Sequence, residues 1–329
     1  MKLIGKSLAA LVLALGVGTV AAQNIRIATD SGAQGSPSGD AIDKWAQLIE
    51  QGTDGALKPR VFYQNQLGGQ QDVFDQHIAG DVQLMLNWPM TSYDKRISVI
   101  YTPYMFTTWD EALAAYQPGG WLNEVLDEVY EENGLKFFGA WPEGFNGVAT
   151  RDKYALTVEE AKRIKVRVPP VFPFVETVEA LGYQTATIDW GEVFTSIQTG
   201  VVDGDAANVI FYEYEYFRDT LDYYVRSSQQ FITGVLSMNL MAWEALDPEH
   251  QKVVQDAALE IMNDQFEAAQ QADQDIVDKW VALGKTYIEL EGEQLADMSK
   301  HVRAEIWPQM RAEVGDDIFD NIEANASDF

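Results

Sequence analysis

Cysteine is missing from all 329 residues of the chain, and histidine occurs three times. Without cysteine the protein has no disulfide, no thiolate nucleophile and no cysteine-ligated metal. The histidines, His77, His250 and His301, fall on separate predicted helices without metal-site spacing, so we expect each to be solvated or half-buried. No GxSxG, GxxxxGK or GxGxxG motif follows a predicted strand, which removes the common serine-hydrolase and nucleotide-binding signatures.

Basic residues are also scarce. The chain has 23 Lys and Arg residues and 51 Asp and Glu residues, which gives a net charge of −28. Such an acidic surface repels nucleic acid and anionic lipid, so we expect no nucleic-acid partner. We interpret the charge as a property that keeps the protein soluble and would suit a salty medium. An acidic protein that binds an anion must do so through a local positive site.

The N-terminus has the pattern of a cleaved secretion signal. Residues 1–22 contain Lys2 and Lys6, then an apolar run, then the small residues Val20-Ala21-Ala22. The run is too short for a comfortable membrane anchor, and Gln23 in place of cysteine argues against a lipid anchor. We therefore predict a periplasmic protein that begins at Gln23, with a net charge of −30 once Lys2 and Lys6 are removed from the −28 of the full chain.

Strand-like and helix-like patterns alternate along the rest of the chain. The predicted strands are 24–29, 58–63, 82–88, 135–141, 164–168, 184–189, 223–228, 234–242 and 286–290, with Pro89 and Pro142 ending two of them. The main predicted helices are 38–51, 68–80, 109–117, 121–132, 157–162, 171–181, 191–199 and 248–285. This alternation predicts an α/β fold with mixed, mostly parallel sheets.

Two runs of this alternation meet near residue 145, which predicts two domains. The helix at 248–285 is too long for one small domain and is expected to lie across both. We predict that residues 23–145 with about 232–270 form one lobe, and that residues 146–231 with about 271–329 form the other.

An arginine marks the end of one predicted strand. In RIKVRVPP (163–170), Arg167 falls where the strand gives way to a loop, and in open α/β sheets ligands bind beyond the carboxyl ends of strands. Its guanidinium can form two parallel hydrogen bonds with a carboxylate. The alternative is that Lys165 and Arg167 form a solvated strand face, which the local pattern alone favours.

Other polar and aromatic residues cluster near predicted strand ends. The candidate ligand-binding residues, besides Arg167, are Asn87, Trp88, Glu143, Phe145, Asn146, Phe172, Trp190, Asn208, Phe211 and Tyr212. For the aromatic residues the alternative is core packing, which is favoured for Trp141 and Trp190. Glu143 either accepts a hydrogen bond from a ligand hydroxyl or ammonium group, or is a surface carboxylate. Aromatic walls and one arginine would suit an organic acid with an apolar or ring-like body.

Four segments together resemble the extracytoplasmic substrate-binding proteins of tripartite ATP-independent periplasmic (TRAP) transporters, the dicarboxylate-receptor-like family. They are LGGQQDVFDQHIAGDVQLML (67–86), KVRVP (165–169), WGEVF (190–194) and IQTGVVDG (197–204). The resemblance implies a two-domain clamshell crossed by a long helix, with Arg167 gripping a ligand carboxylate. It also implies docking of the closed protein on a membrane permease driven by an ion gradient. In the family an Asn follows VVDG after two residues, whereas here Asn208 follows after three.

The sequence therefore favours capture of a small organic acid over catalysis, with no catalytic residue, cofactor or metal. A calcium loop at Asp203 and Asp205 is discounted, because Ala207 follows and no glutamate closes the loop. One alternative is a secreted carbohydrate hydrolase that uses two of Glu143, Asp189 and Glu192. Another is a ligand-binding partner of a membrane sensor. Dicarboxylates, keto acids, sugar acids, aromatic acids and zwitterionic osmolytes all remain open as ligands.

Overall fold

The computed structural model describes residues 22–328, which form eleven strands, twelve α-helices and three 3-10 helices. Residues 1–21 of the predicted secretion signal lie outside the described residues. Across residues 22–328, no helix is both long enough and apolar enough to cross a membrane.

The chain alternates strands and helices as the sequence predicts. The strands are β1 (Gln23–Thr29), β2 (Leu57–Phe62), β3 (Leu84–Asn87), β4 (Leu135–Phe145), β5 (Val148–Thr150), β6 (Lys165–Val168), β7 (Gln184–Thr187), β8 (Gly204–Asp205), β9 (Tyr223–Arg226), β10 (Phe231–Asn239) and β11 (Thr286–Glu289). The α-helices are α1 (Pro37–Gly52), α2 (Gln70–Ala79), α3 (Trp109–Tyr116), α4 (Trp121–Glu132), α5 (Val158–Ala161), α6 (Phe174–Ala180), α7 (Val193–Gln198), α8 (Ile210–Phe217), α9 (Leu240–Glu244), α10 (Pro248–Ala282), α11 (Gly292–Val314) and α12 (Asp316–Asn325). The 3-10 helices are Gln64–Leu67, Lys95–Tyr101 and Trp190–Glu192.

Capping residues fix where several helices begin. The Ser36 hydroxyl accepts a hydrogen bond from the Gly39 N–H at the start of α1, directly before Pro37. The Asp247 carboxylate accepts from two N–H groups at the start of α10, directly before Pro248. A short polar cap followed by proline satisfies the unpaired N–H groups of a first turn and sets its backbone angle.

The first sheet has the order β2-β1-β3-β10-β4, in which β1 pairs parallel with β2 and β3, and β10 pairs antiparallel with β3 and β4. The prediction that Pro142 ends a strand is wrong, since β4 continues to Phe145. β4 is an edge strand, and its register with β10 shifts beside Pro142. An edge position with a bulge tolerates a proline, because no neighbouring strand needs its missing N–H.

The second sheet has the order β11-β9-β5-β8-β6-β7. β9 with β11, β6 with β7 and β6 with β8 are parallel, while β5 pairs antiparallel with β8 and β9. Five of the nine pairings in the two sheets are thus parallel, which confirms the predicted mixed, mostly parallel α/β fold. The short strands β5 and β8 went unpredicted. The predicted strand 234–242 ends at Asn239, whose side chain caps α9.

The two sheets draw on different parts of the chain. The strands of the first lie within 23–145 and 231–239, and those of the second lie within 148–226 and 286–289. Helix α10 has 35 residues and contacts α1 and β4 beside the first sheet and α8 and β11 beside the second. This confirms the long helix that spans both halves. The exact limits of the two lobes stay a prediction.

His77 is buried rather than solvated or half-buried, so that expectation was wrong. Its ring nitrogens lie 2.9 Å from the Val82 carbonyl oxygen and 2.9 Å from the Ser237 hydroxyl. Burial lowers the pKa of His77 to about 4. The imidazole is therefore neutral and links α2 to β10 through its hydrogen bonds.

A buried ion pair joins the long helix to the second sheet. Arg226 of β9 donates two hydrogen bonds to the Asp273 carboxylate of α10, at 2.5 and 2.7 Å. Both side chains are less than a tenth exposed. Because neither charge has water to replace a lost partner, removing one partner of such a pair is costly.

We expect Asp273→Asn to lower the free energy of unfolding by about 3–5 kcal/mol, because Arg226 would be left buried without a counter-charge. Denaturant unfolding of the wild type and the variant measures the difference. Asp278→Asn, an exposed position on the same helix, is the matched control and should change stability little. Equal unfolding midpoints for both variants would contradict the role of the pair.

Candidate functional site

A cavity between residues of the two sheets forms the candidate site. It has about 570 Å³ of empty space, including space that is open to solvent. Its wall combines apolar and aromatic side chains with a few polar groups, which is typical of sites for small organic molecules. The residues that line it are Ser31, Gln70, Trp88, Tyr101, Glu143, Arg167, Pro169, Val171, Phe174, Trp190, Ala207, Asn208, Val209, Tyr212 and Ile232.

Arg167 lies in the wall of this cavity, on strand β6. It is 2% exposed, so the solvated-face interpretation of this residue is wrong. Its Nε donates to the Ile188 carbonyl oxygen at 2.8 Å, and its Nη1 donates to Asp205 Oδ2 at 3.1 Å. Within residues 22–328, Nη2 makes no hydrogen bond. The guanidinium is thus fixed on one side and keeps donors for a ligand on the other.

Asp205 is the residue that holds Arg167. It faces Arg167 across the β6–β8 pairing and is fully buried. Its second oxygen, Oδ1, accepts hydrogen bonds from the backbone N–H groups of Ala207 and Asn208, at 2.8 and 3.1 Å. Asn208 lies in the cavity wall directly after this loop. The role of Asn208 toward a ligand stays a prediction.

Glu213 is a second buried acid near this pair. Burial, and then the neighbouring charge of Asp205, raise its pKa well above the usual value. A protonated Glu213 leaves Arg167 facing one carboxylate rather than two. The arginine end of the cavity is therefore close to electrically neutral and can accept one more negative charge from a ligand.

Glu143 lies in the opposite wall and is not a surface carboxylate. Its Oε2 accepts a hydrogen bond from Trp88 Nε1 at 2.9 Å, and its Oε1 accepts one from the Tyr212 hydroxyl at 2.5 Å. Trp88 follows β3, whereas Tyr212 is on α8, so the carboxyl group links elements beside both sheets. Burial raises the pKa of Glu143 to about 8.

A bulge in the edge strand sets the position of Glu143. In the β4–β10 register, Pro142 pairs with Thr233 and Gly144 pairs with Ile232, which leaves Glu143 as the extra residue. An unpaired bulge residue breaks the alternation of faces and re-aims its side chain. Glu143 thereby reaches the cavity between Trp88 and Tyr212.

Asp30 was not predicted, although it directly follows β1. It is 1% exposed; its Oδ1 accepts from the Ser31 hydroxyl, and its Oδ2 has no hydrogen-bond partner within residues 22–328. Burial raises the pKa of Asp30 to about 7. Ser31 and Gln70, next to it, line the cavity. The strand-end rule that pointed to Arg167 would also have pointed to Asp30 and Ser31.

The structure brings six predicted residues to the cavity wall and places five elsewhere. The six are Arg167, Trp88, Glu143, Trp190, Asn208 and Tyr212. Those outside the lining are Asn87, Phe145, Asn146, Phe172 and Phe211. Phe145 packs on Trp109 and Phe231, and the Asn146 amide bonds to Gln230 and the Ala207 carbonyl oxygen. The favoured core assignment fits Trp141, but Trp190 also lines the cavity.

The carboxylates considered for a hydrolase do not come together at the cavity. Glu143 lines the cavity, whereas neither Asp189 nor Glu192 does. The Asp189 side chain caps the turn that follows it, and Glu192 is exposed. Across residues 22–328, no three His, Asp or Glu side chains come together in a metal-binding arrangement.

The match to a family of known proteins covers most of the chain. The model of the bacterial extracellular solute-binding protein family 7 matches residues 28–313. The chain belongs to this family. Its members are the solute-binding components of TRAP transporters, which bind small acids and work with membrane permease components. The resemblance carried by KVRVP, WGEVF and IQTGVVDG is therefore confirmed.

Individual relatives agree with this assignment. The ectoine-binding periplasmic protein TeaA of Halomonas elongata is 27% identical over 227 residues, which are 67% of this chain and 66% of that one. The sugar acid binding protein of Advenella mimigardefordensis, solved with galactonate, has a TM-score of 0.84 at 19% identity, covering 93% of this chain and 100% of that one. A TRAP solute-binding protein of Sulfurospirillum deleyianum with bound succinate has a TM-score of 0.81 at 22% identity, covering 92% and 98%. The two solved structures share the fold of this chain.

The raised pKa of Glu143 predicts a pH dependence of stability in the solute-free protein. Between about pH 4.5 and pH 8 the folded protein keeps a proton on Glu143 that the unfolded chain has lost. The free energy of unfolding should therefore fall as the pH rises through this range. Glu143→Gln cannot ionise, so it should gain stability relative to wild type between pH 5 and pH 9.

Thermal unfolding of both proteins from pH 5 to pH 9 measures this effect. Glu192→Gln, which removes an exposed carboxylate, is the matched control and should follow the wild type. Wild-type and Glu143→Gln melting temperatures that stay parallel over the whole range would disprove the assignment.

Proposed function

We propose that this protein captures a small organic acid in the cavity between its two sheets and delivers it to a TRAP membrane permease from the periplasm. The observation that carries the proposal is Arg167. Its guanidinium is buried in the wall of the cavity, is fixed by Asp205 and Ile188, and keeps free donors. A carboxylate is the group that best matches the planar pair of N–H donors of a guanidinium.

The position of the cavity explains how binding could favour a closed protein. Arg167 belongs to the second sheet, whereas Glu143 belongs to the first. A solute that touches both walls makes its full set of contacts only when the walls are together, so it stabilises that state. Exclusion of water then strengthens the attraction between the guanidinium and the solute carboxylate.

The relatives support an organic acid as the ligand class. The Advenella and Sulfurospirillum structures hold galactonate and succinate, and the Halomonas protein binds ectoine. Delivery to a permease, and the periplasmic location, are supported by membership of the family. The low identity of the solved relatives leaves the particular acid to be derived from this cavity itself.

We expect Arg167→Ala to weaken binding of the solute by about 2–5 kcal/mol, because the carboxylate would be enclosed without a counter-charge. A thermal-shift screen of small carboxylates first identifies a ligand, since a tight ligand raises the melting temperature. Calorimetric titration of that ligand then gives the affinity of each variant.

Arg218→Ala is the matched control, because Arg218 directly follows the helix that carries Tyr212 and lies outside the cavity lining. It should bind like the wild type. An Arg167→Ala protein that remains folded and binds with unchanged affinity would show that the cavity does not work through this arginine.

A further inference from the structure

The two ends of the cavity differ in charge. Of the described residues that line it, Arg167 alone carries a positive charge, and Glu143 alone is acidic. Asp30 stands directly behind the wall, where Ser31, Gln70 and Trp88 surround it. One end therefore offers a guanidinium, and the other offers a carboxyl group backed by a second one.

The hydrogen bonds of Glu143 suit an anion. Trp88 Nε1 can only donate, and it points at one carboxyl oxygen, while the Tyr212 hydroxyl is directed at the other. Two donors on two oxygens favour the ionised form, yet no lysine or arginine lies in this part of the wall. The charged neighbour that acts on Glu143 is another carboxyl, Asp30. What this end lacks is a positive charge.

Aromatic rings surround the same end. The Trp88 and Tyr212 rings lie 6.2 Å apart edge to face, and Trp190 stands 5.5 Å from Tyr212. Tyr101 completes this part of the lining. Aromatic faces attract cations, and most strongly where water is excluded.

We propose that the solute is a compact zwitterion whose carboxylate binds Arg167 and whose cationic nitrogen lies against Glu143 among these rings. This inference rests on the proposed function and names the substrate class for the same site. The Trp190 ring contacts groups of both ends: it lies 6.0 Å from the Arg167 guanidinium carbon and 5.5 Å from the Tyr212 ring, whose hydroxyl donates to Glu143. One aromatic ring thus reaches both ends, which favours a solute whose two charges lie only a few bonds apart.

A dicarboxylate fits this arrangement poorly. Its second carboxylate could only accept a hydrogen bond from a protonated Glu143. It would repel the ionised forms of Glu143 and Asp30, and it would bring no positive charge to this end of the cavity. A hydroxy acid could donate a hydrogen bond to Glu143 but would likewise bring no positive charge to this end. The order of preference should therefore be ammonium acid first, then hydroxy acid, then dicarboxylate.

The charge of the solute has a second consequence that calorimetry can detect. The titratable groups that face Glu143 are Asp30, Tyr101 and Tyr212. With a pKa of about 8, Glu143 is mostly protonated near neutral pH in the solute-free protein, and Asp30, with a pKa of about 7, is partly protonated. A cationic nitrogen favours their ionised forms, so binding of the zwitterion should release protons.

The test uses ligands that share one skeleton and differ at one end. We would titrate the protein at pH 7 with 4-aminobutyrate, 4-hydroxybutyrate, butyrate and succinate, and with amino acids of three, five and six carbons that carry the ammonium group at the far end. Running each titration in buffers of different ionisation enthalpy gives the number of protons released. We expect the best ammonium acid to bind roughly tenfold or more tightly than its hydroxyl and dicarboxylate counterparts, with proton release.

Variants connect this preference to the residues. Glu143→Gln should abolish the preference for the ammonium acid over 4-hydroxybutyrate and butyrate, and it should reduce the proton release to the part that Asp30 contributes. Glu192→Gln, the exposed control, should keep both properties. Asp30→Asn serves as a second variant should Glu143→Gln fold poorly, and it should reduce proton release.

The outcomes separate the two proposals. Succinate or a hydroxy acid that binds as tightly as the matching ammonium acid would overturn the zwitterion assignment and leave capture of an organic acid standing. A folded protein that binds none of these acids, nor any member of the carboxylate screen, would overturn the proposed function itself.

Discussion

The buried pair of Arg167 and Asp205 is the interaction on which the candidate site depends. Placing two charges out of water is costly unless geometry and extra hydrogen bonds compensate. Here the Ile188 carbonyl oxygen holds the guanidinium, and two backbone N–H groups hold the carboxylate. The pair is thus fixed from both sides, and the remaining edge of the guanidinium faces the cavity. The proposed recognition of an acid rests on this restriction of the arginine side chain.

The two walls of the cavity are chemically unequal, and each belongs to a different sheet. The wall from the second sheet presents Arg167, whose charge is largely balanced by Asp205. The wall from the first sheet presents the Glu143 carboxyl group, which accepts hydrogen bonds from Trp88 and Tyr212. The hydrogen bond between Glu143 and Tyr212 crosses from β4 to α8, so the groups that we propose to contact the solute also join the two halves. In the proposed function, binding and closure therefore involve the same atoms.

Much of the fold follows from local chemistry that the sequence displays. Capping residues and prolines mark where α1 and α10 begin, and the strand-end rule together with the family resemblance points to Arg167. The rest needs tertiary context. The bulge at Glu143 interrupts the alternation of side chains between the two faces of β4. The alternating pattern of WPEGFN therefore could not predict that Glu143 lines the cavity while Phe145 and Asn146 pack elsewhere. Asp30 went unpredicted because an acid after a strand is common in so acidic a chain.

The bulge has a consequence for how this scaffold can diversify. Arg167 lies on β6 between β7 and β8, where any change in chain length would disturb both neighbours. Glu143 lies on an edge strand, where inserting or deleting one residue disturbs the hydrogen bonds with only one neighbouring strand. Insertions and deletions there could replace the group that meets the far end of a solute while the carboxylate grip persists. The range of substrates can therefore change through substitutions and length changes in the edge strand of the first sheet, while the interior strands of the second sheet stay the same.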